Sequence, residues 1–333
     1  MPKATKQLST PNSELSTPVF LTGATGFIGR RLAECLIAAG TDVTAFVLPG
    51  EIDLLPDGVH AIPGDITMPE TVAGALAATQ PGLIIHLAAI GVANPDLPFT
   101  TACAVNVGGV INVLDAARQT ETLKRIVLVG SSYEYGARRA DDGLDPFNAY
   151  SASKVAAWAF ARAAYNAWGA PVVWMRLFQV YGPGQREQAL IPAAIQAALN
   201  GDDFRMTAGE QQRDFVFVED VVEGLLAAAV APGIEGRALD VGTGQLHRIR
   251  AVVERIWALS GTRGRILAGA LPYRPGEVPA IPADVDRTRR LTGWEAQTGL
   301  EEGLQETIDG ALERLNVGTL ERWNVFRRYE YDR

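Results

Sequence analysis

Short runs of consecutive apolar residues alternate along this chain with longer stretches in which apolar residues recur every three or four positions. Val19-Phe20-Leu21-Thr22 is the first such run. It predicts a strand buried on both faces, because a half-exposed strand would alternate apolar with polar residues. An amphipathic stretch from Ile28 to Ala39 then predicts a helix, with Gly40 where helices commonly stop. The pattern repeats: strands are expected at 43–47, 61–62, 83–87, 125–129 and 172–177, and helices at 69–79, 104–118 and 149–168. Uniformly apolar strands alternating with helices predict an α/β fold, a doubly wound parallel sheet covered on both faces. After Tyr181 the alternation loosens and Gly and Pro become frequent. Helices expected at 191–199, 221–231 and 249–259 fit a smaller second α/β lobe. The expected organisation is a polar, disordered tail (1–17), a main sheet domain (18–181 and 215–245) and a second lobe (182–214 and 246–333).

Composition narrows the class. Asp and Glu total 38 against 30 Lys and Arg, a net charge of −8. An acidic balance argues against nucleic acid as a partner, since phosphate backbones demand clustered cations. No run reaches the roughly 18 consecutive apolar residues of a membrane span, and the N-terminus lacks the apolar core of a secretory signal. Cys35 and Cys103 stand alone, which predicts reduced thiols without a disulfide or metal site. A cytoplasmic enzyme without membrane association is the expectation.

The first strand runs into Gly23-Ala24-Thr25-Gly26-Phe27-Ile28-Gly29, which opens the first helix. This spacing suits a dinucleotide. Gly23 permits the tight turn, Gly26 lets backbone approach a pyrophosphate, and Gly29 lets helix and strand pack closely. Thr25, Phe27 and Ile28 complete the expected contact surface. Asp65, followed by Ile66, is placed either on an adenine amino group or as the cap of the helix at Pro69. The second strand ends Phe46-Val47-Leu48-Pro49, with neither the acid that grips a ribose 2′-hydroxyl nor the Arg that suits a 2′-phosphate. Arg30 and Arg31 favour NADP(H) over NAD(H), unless both are solvated helix surface.

Tyr150-Ser151-Ala152-Ser153-Lys154 starts another helix, and the i,i+4 spacing sets Tyr150 and Lys154 on one face. A phenol is a poor proton carrier at neutral pH, and a nearby ammonium lowers its pKa. The strand 125–129 leads into Gly130-Ser131-Ser132-Tyr133-Glu134-Tyr135-Gly136, a hydroxyl-rich end where ligands of parallel sheets lie.

These motifs resemble the extended short-chain dehydrogenase/reductase superfamily, in its nucleotide-sugar branch. His86-Leu87-Ala88-Ala89, Asn106 to Asn112, the run Arg176 to Gly184, Arg213-Asp214-Phe215-Val216 and Arg274-Pro275-Gly276-Glu277 extend the likeness over about residues 18–310. The resemblance implies a Rossmann-type fold with a substrate-binding lobe. It makes Tyr150 the acid/base, has Lys154 hold the nicotinamide ribose, and has Ser131 polarise the sugar oxygen. Leu87, Ala88, Ala89 and Asn106 would line the cofactor. Ser132, Tyr133, Gln179, Arg213 and Arg274 would contact a nucleotide-diphosphate sugar. Pairing of the helices 104–118 and 149–168 across a homodimer, as a four-helix bundle, is also implied.

Among the activities of that branch, a 4,6-dehydratase needs a carboxylate just after the catalytic hydroxyl. Ser132 and Tyr133 stand there instead, with Glu134 one place off. The run GSSYEYG and Arg274-Pro-Gly-Glu-Val-Pro resemble reductases of GDP-4-keto-6-deoxymannose. The expected reaction is therefore NAD(P)H-dependent reduction of a nucleotide-linked 4-keto-6-deoxy sugar, with Tyr150 supplying the proton. A nucleotide-sugar 4-epimerase is the alternative. A dehydratase and a non-catalytic dinucleotide sensor come behind both.

Overall fold

The computed structural model describes residues 17–92, 94, 96–136, 143–273 and 279–330, with side chains as far as Leu315. These fall into two compact units. The first gathers segments 17–180, 213–246 and 279–296, and the second 181–212, 247–273 and 297–330.

The main sheet of the first unit has seven strands: β1 (Val19–Thr22), β2 (Val43–Val47), β3 (His60–Pro63), β4 (Leu83–His86), β5 (Arg125–Ser131), β6 (Val172–Leu177) and β7 (Arg237–Val241). They form one sheet in the order β7-β6-β5-β4-β1-β2-β3, every neighbouring pair parallel. The chain builds outward from β1 to β3 and then returns to add β4 on the other side of β1. That reversal opens a crevice at the carboxyl ends of β1 and β4, where doubly wound sheets bind ligands.

Successive side chains of a strand point to opposite faces, and the core divides accordingly. Val19 and Leu21 of β1, Val127 of β5, and Val173 and Met175 of β6 face a layer containing helix α1 (Phe27–Ala38) and the helix Val218–Val230. Phe20, Ile126, Leu128, Val172 and Trp174 face α2 (Pro69–Thr79), α3 (Phe99–Ala117) and α4 (Ala149–Trp168). Apolar residues at every strand position therefore mean two covered faces. β3 is the exception: an edge strand, largely exposed.

Helix α3 begins five residues before the expected 104, and Cys103–Gly108 within it winds as a π turn. By length and mean hydropathy α3 passes the measure used for membrane spans, although Thr100, Asn106, Asn112 and Asp115 interrupt its apolar residues. In the fold its Val110, Val113, Leu114 and Ala117 pack into the core. Its Asn112 donates to the Ile66 carbonyl at 2.8 Å, so it serves as a core helix.

In the second unit, helices Leu190–Asn200, Ile249–Ser260 and Leu300–Glu330 accompany a parallel pair of short strands, Phe204–Met206 and Ile266–Ala268. Trp257 anchors it, packing its ring 5.8 Å from that of Phe204 and donating from Nε1 to the Gly264 carbonyl at 2.7 Å.

Candidate active site

The glycine loop is close-packed for a stated reason. Gly23 has φ +73°, and a Cβ there would lie 2.8 Å from the Ala88 nitrogen. A Cβ on Gly29 would overlap the Gly23 carbonyl. Thr22 ties the two sides of the crevice: its Oγ1 accepts from the Ala88 N–H at 3.1 Å and pairs with His86 Nδ1 at 2.7 Å. The end of β1 thus holds Leu87-Ala88-Ala89 against the loop. Helix α1 starts at Gly26 with no side-chain cap and no acid in its first turn. Its first N–H groups remain open donors, as a pyrophosphate requires. Helix α4, by contrast, is closed by a capping box between Asn148 and Ser151. Glycines that admit no side chain and an uncapped helix start fit a dinucleotide.

Several expected cofactor contacts are otherwise engaged. Arg30 donates to the Leu54 carbonyl at 2.5 Å. Arg31 is bound by Glu219 and Glu34. Neither arginine stands ready for a 2′-phosphate. Asp65 closes a turn ahead of α2, its Oδ1 accepting from both the N–H and the hydroxyl of Thr67 at 2.8 Å; it does not cap α2, whose cap position is Met68 without a side-chain bond. Asn106 spends its amide on the Ile90 backbone at 2.9 and 3.0 Å and on Ser153 Oγ at 2.9 Å. It joins the loop after β4 to helix α4. The sequence reading missed Glu51. It lies in a short 3₁₀ turn, Pro49–Leu54, and accepts the Thr25 hydroxyl at 2.8 Å. Its position four residues beyond β2 hid it from a search confined to the strand end.

Ser131, Tyr150 and Lys154 come together as expected from the spacing. Ser131 ends β5, and its side chain acts on the Tyr150 hydroxyl to favour ionisation. Lys154 donates from Nζ to the Val129 carbonyl at 2.9 Å and lies 5.8 Å from the Tyr150 ring centre. All three side chains are buried. Their electrostatics differ from the sequence argument. Burial pushes the Tyr150 hydroxyl well above the usual phenol range, and Ser131 only partly opposes this. Burial pushes Lys154 down to about 8, with Glu134 opposing. In this arrangement desolvation, rather than the lysine charge, dominates the tyrosine.

Glu134 is fully buried beneath this group. Its Oε1 accepts from the Ser131 N–H at 2.8 Å and from Trp174 Nε1 at 3.0 Å, and its Oε2 accepts from Arg176 Nε at 2.7 Å. The pairing continues from Arg176 to the Tyr135 hydroxyl, which donates to Asp240 at 2.7 Å. A carboxylate so engaged is unsuited to the elimination of water that a dehydratase performs.

Beside the catalytic group a small open cleft, with a cavity volume of about 30 Å³, is lined by Ser132, Tyr133, Gln179 and Arg213, with Phe178 and Ile281 among its walls. Four of the five expected substrate contacts therefore share one surface. The fifth, Arg274, lies outside the described residues. Asp214 braces this wall: one carboxylate oxygen accepts from Thr243 N–H at 2.8 Å, the other from Gly244 N–H at 2.8 Å and Ala283 N–H at 3.1 Å.

Comparison with known proteins agrees with this architecture. UDP-glucose 4-epimerase of Mycolicibacterium smegmatis is 30% identical over 87% of this chain and 96% of its own length. UDP-N-acetyl-alpha-D-glucosaminuronate decarboxylase of Bacillus cytotoxicus is 28% identical over 86% of this chain and 95% of its own. Among solved structures, MoeE5 in complex with UDP-glucuronic acid and NAD superposes with a TM-score of 0.80 at 32% identity, covering 89% of this chain and 99% of that one. The pattern of the NAD dependent epimerase/dehydratase family matches residues 19–242. The protein therefore belongs to the NAD dependent epimerase/dehydratase family, the extended branch of the short-chain dehydrogenases/reductases that acts on nucleotide sugars.

Proposed function

We propose that this enzyme is an NAD-dependent 4-epimerase of a UDP-linked hexose or hexuronic acid. The observation that carries the choice is the Glu51 carboxylate bonded to Thr25 inside the glycine loop. A fixed negative charge there favours ribose hydroxyls and repels a 2′-phosphate. With Arg30 and Arg31 engaged elsewhere, the reason for preferring NADP(H) disappears. An NAD-type site suits internal redox, in which no reducing equivalent is consumed. The relatives with UDP sugars in their names support the same reading. The 4-keto-sugar reductase expected from GSSYEYG is the second reading, favoured only by that run of residues.

When bound, the nicotinamide supplies a hydride acceptor and then a donor at the sugar C4. The chain handles the proton. Tyr150 Oη, ionised for this step, takes it from the 4-hydroxyl as the C4–H bond breaks, and returns it when hydride re-enters on the opposite face. Ser131 holds the sugar oxygen, and the Lys154 ammonium together with the positive charge of the oxidised nicotinamide would offset the burial that otherwise keeps Tyr150 protonated. Ser132, Tyr133, Gln179 and Arg213 seat the sugar diphosphate, for which a guanidinium fork is well suited. Exposed Phe99 on α3 and Phe160 on α4, at 71% and 49% of full exposure, support the homodimer through these helices; light scattering at micromolar concentration reports the mass.

The test is NMR of UDP-glucose, UDP-galactose and UDP-glucuronic acid incubated with the enzyme and catalytic NAD. The expected result is the C4 epimer of at least one sugar with no net change in nicotinamide absorbance. Stoichiometric NADPH or NADH consumption with a 4-keto sugar, and no epimer, would overturn this in favour of the reductase.

A further inference from the structure

The buried Glu134 takes no part in the reaction just described, yet it is built into the floor of the site. Gly130 lies directly above it. A Cβ at that position would overlap Glu134 Oε1 and Trp174 Nε1, so the absence of a side chain is what admits the carboxylate beneath β5. One oxygen accepts the Ser131 N–H and fixes the residue whose side chain acts on Tyr150. The other takes the Arg176 guanidinium. A buried carboxylate is costly to maintain, and replacing a buried ion pair with apolar residues is often neutral or stabilising. Its presence here calls for a role other than stability.

We propose that Glu134 is a positioning residue that fixes Ser131 and serves as the buried counter-charge of Lys154. The idea rests on Tyr150 and Lys154 being the proton-transfer pair. The charged and titratable groups around them are few. Lys154 is faced by Tyr150 on its own helix, by His86 from the end of β4 and by Glu134 from the turn after β5. Tyr150 is also faced by Tyr133, and Glu134 by Arg176 of β6; Arg176 in turn meets Tyr135 and Asp240. Lys154 Nζ sits on the Val129 carbonyl and the Glu134 carboxylate on the Ser131 N–H, groups two residues apart at the end of β5 that point to the same side of the strand. His86 is held neutral by burial, which leaves Glu134 as the anion that acts on Lys154 and keeps it charged.

The chain has four lysines, Lys3, Lys6, Lys124 and Lys154. Carbon-13 labelling of lysine and NMR titration of the full chain without substrate therefore resolve Lys154, assigned with Lys154→Arg. Wild-type Lys154 is expected to titrate near 8. In Glu134→Gln it should titrate about one pH unit lower or more, and in Glu134→Asp, which keeps the charge, close to wild type. If Glu134→Gln does not fold, Glu134→Asp alone decides: a Lys154 titration close to wild type is expected, and a fall of about one pH unit or more in this charge-conserving variant overturns the proposal. An unchanged Lys154 titration in the folded amide variant, or an equal fall in Glu134→Asp, overturns the proposal. Because no sugar is present, failure of the epimerase reading leaves this result untouched.

Discussion

Tyr150 and Lys154 stand one helical turn apart, yet burial drives the two groups in opposite directions: the phenol keeps its proton more tightly and the ammonium holds its own less tightly. Tyr150→Phe removes the proton carrier alone. Turnover should fall by about 10²–10⁴ while NAD binding, followed by fluorescence titration, is retained; near-normal turnover would remove Tyr150 from its assigned role. Glu51 carries a separate prediction. Glu51→Ala should weaken NAD and relieve the repulsion of a 2′-phosphate, so the ratio of NAD to NADP affinity falls by about tenfold or more, the effect of ~1.4 kcal/mol. An unchanged ratio means that another group discriminates. The spacing of Tyr150 and Lys154 was legible in sequence because a helix brings i and i+4 together wherever it forms. Glu134 was visible only as a carboxylate one place from a dehydratase position. Its partners Trp174 and Arg176 arrive from β6, some 40 residues later, and no local pattern announces them.

At the scale of elements, the helices and inner strands were read because their periodicity is local, whereas departures from ideal geometry were not. Helix α4 and strand β6 have the bounds that sequence predicts, 149–168 and 172–177. Strand β5 runs two residues further, to Ser131, because Gly130 and Ser131 still pair with Arg176 and Leu177 of β6. The π turn in α3 left no mark in composition; its Asn106 bonds the distant Ile90 backbone, a contact no local pattern announces. The β1–loop–α1 unit is the element most exposed to a single methyl group. Gly29→Ala would force a Cβ into the Gly23 carbonyl. Overpacking of this kind costs about 1–3 kcal/mol, and the displaced loop should lose NAD. A thermal melt with and without NAD checks both effects, and a variant still stabilised by NAD like wild type would contradict the close-packing argument.

For the whole molecule, acid is the expected weakness. His86 is buried and neutral, its pKa pushed down to about 3 by burial and by the nearby Lys154. The unfolded chain protonates this ring at about 6.5. Above that pH the histidine makes no demand; as pH falls from 6.5 towards 3, the unfolded state takes up a proton that the fold refuses, and stability drops. Between pH 7 and 5 the loss should be about 2 kcal/mol, seen as a lower urea midpoint that is absent in His86→Gln. Equal losses in both proteins would place the acid sensitivity elsewhere. Residues 279–296 belong to the first unit, although some thirty residues of the second unit precede them in the chain. Ala283 and Asp284 deliver backbone N–H groups to the buried carboxylates of Asp214 and Asp240. A ribosome that has made the seven strands has therefore not yet made a finished unit. Two acids beneath the site wait for donors encoded more than forty residues after β7, so the nucleotide-binding unit closes late in synthesis and cannot be cut out as a module ending at residue 246.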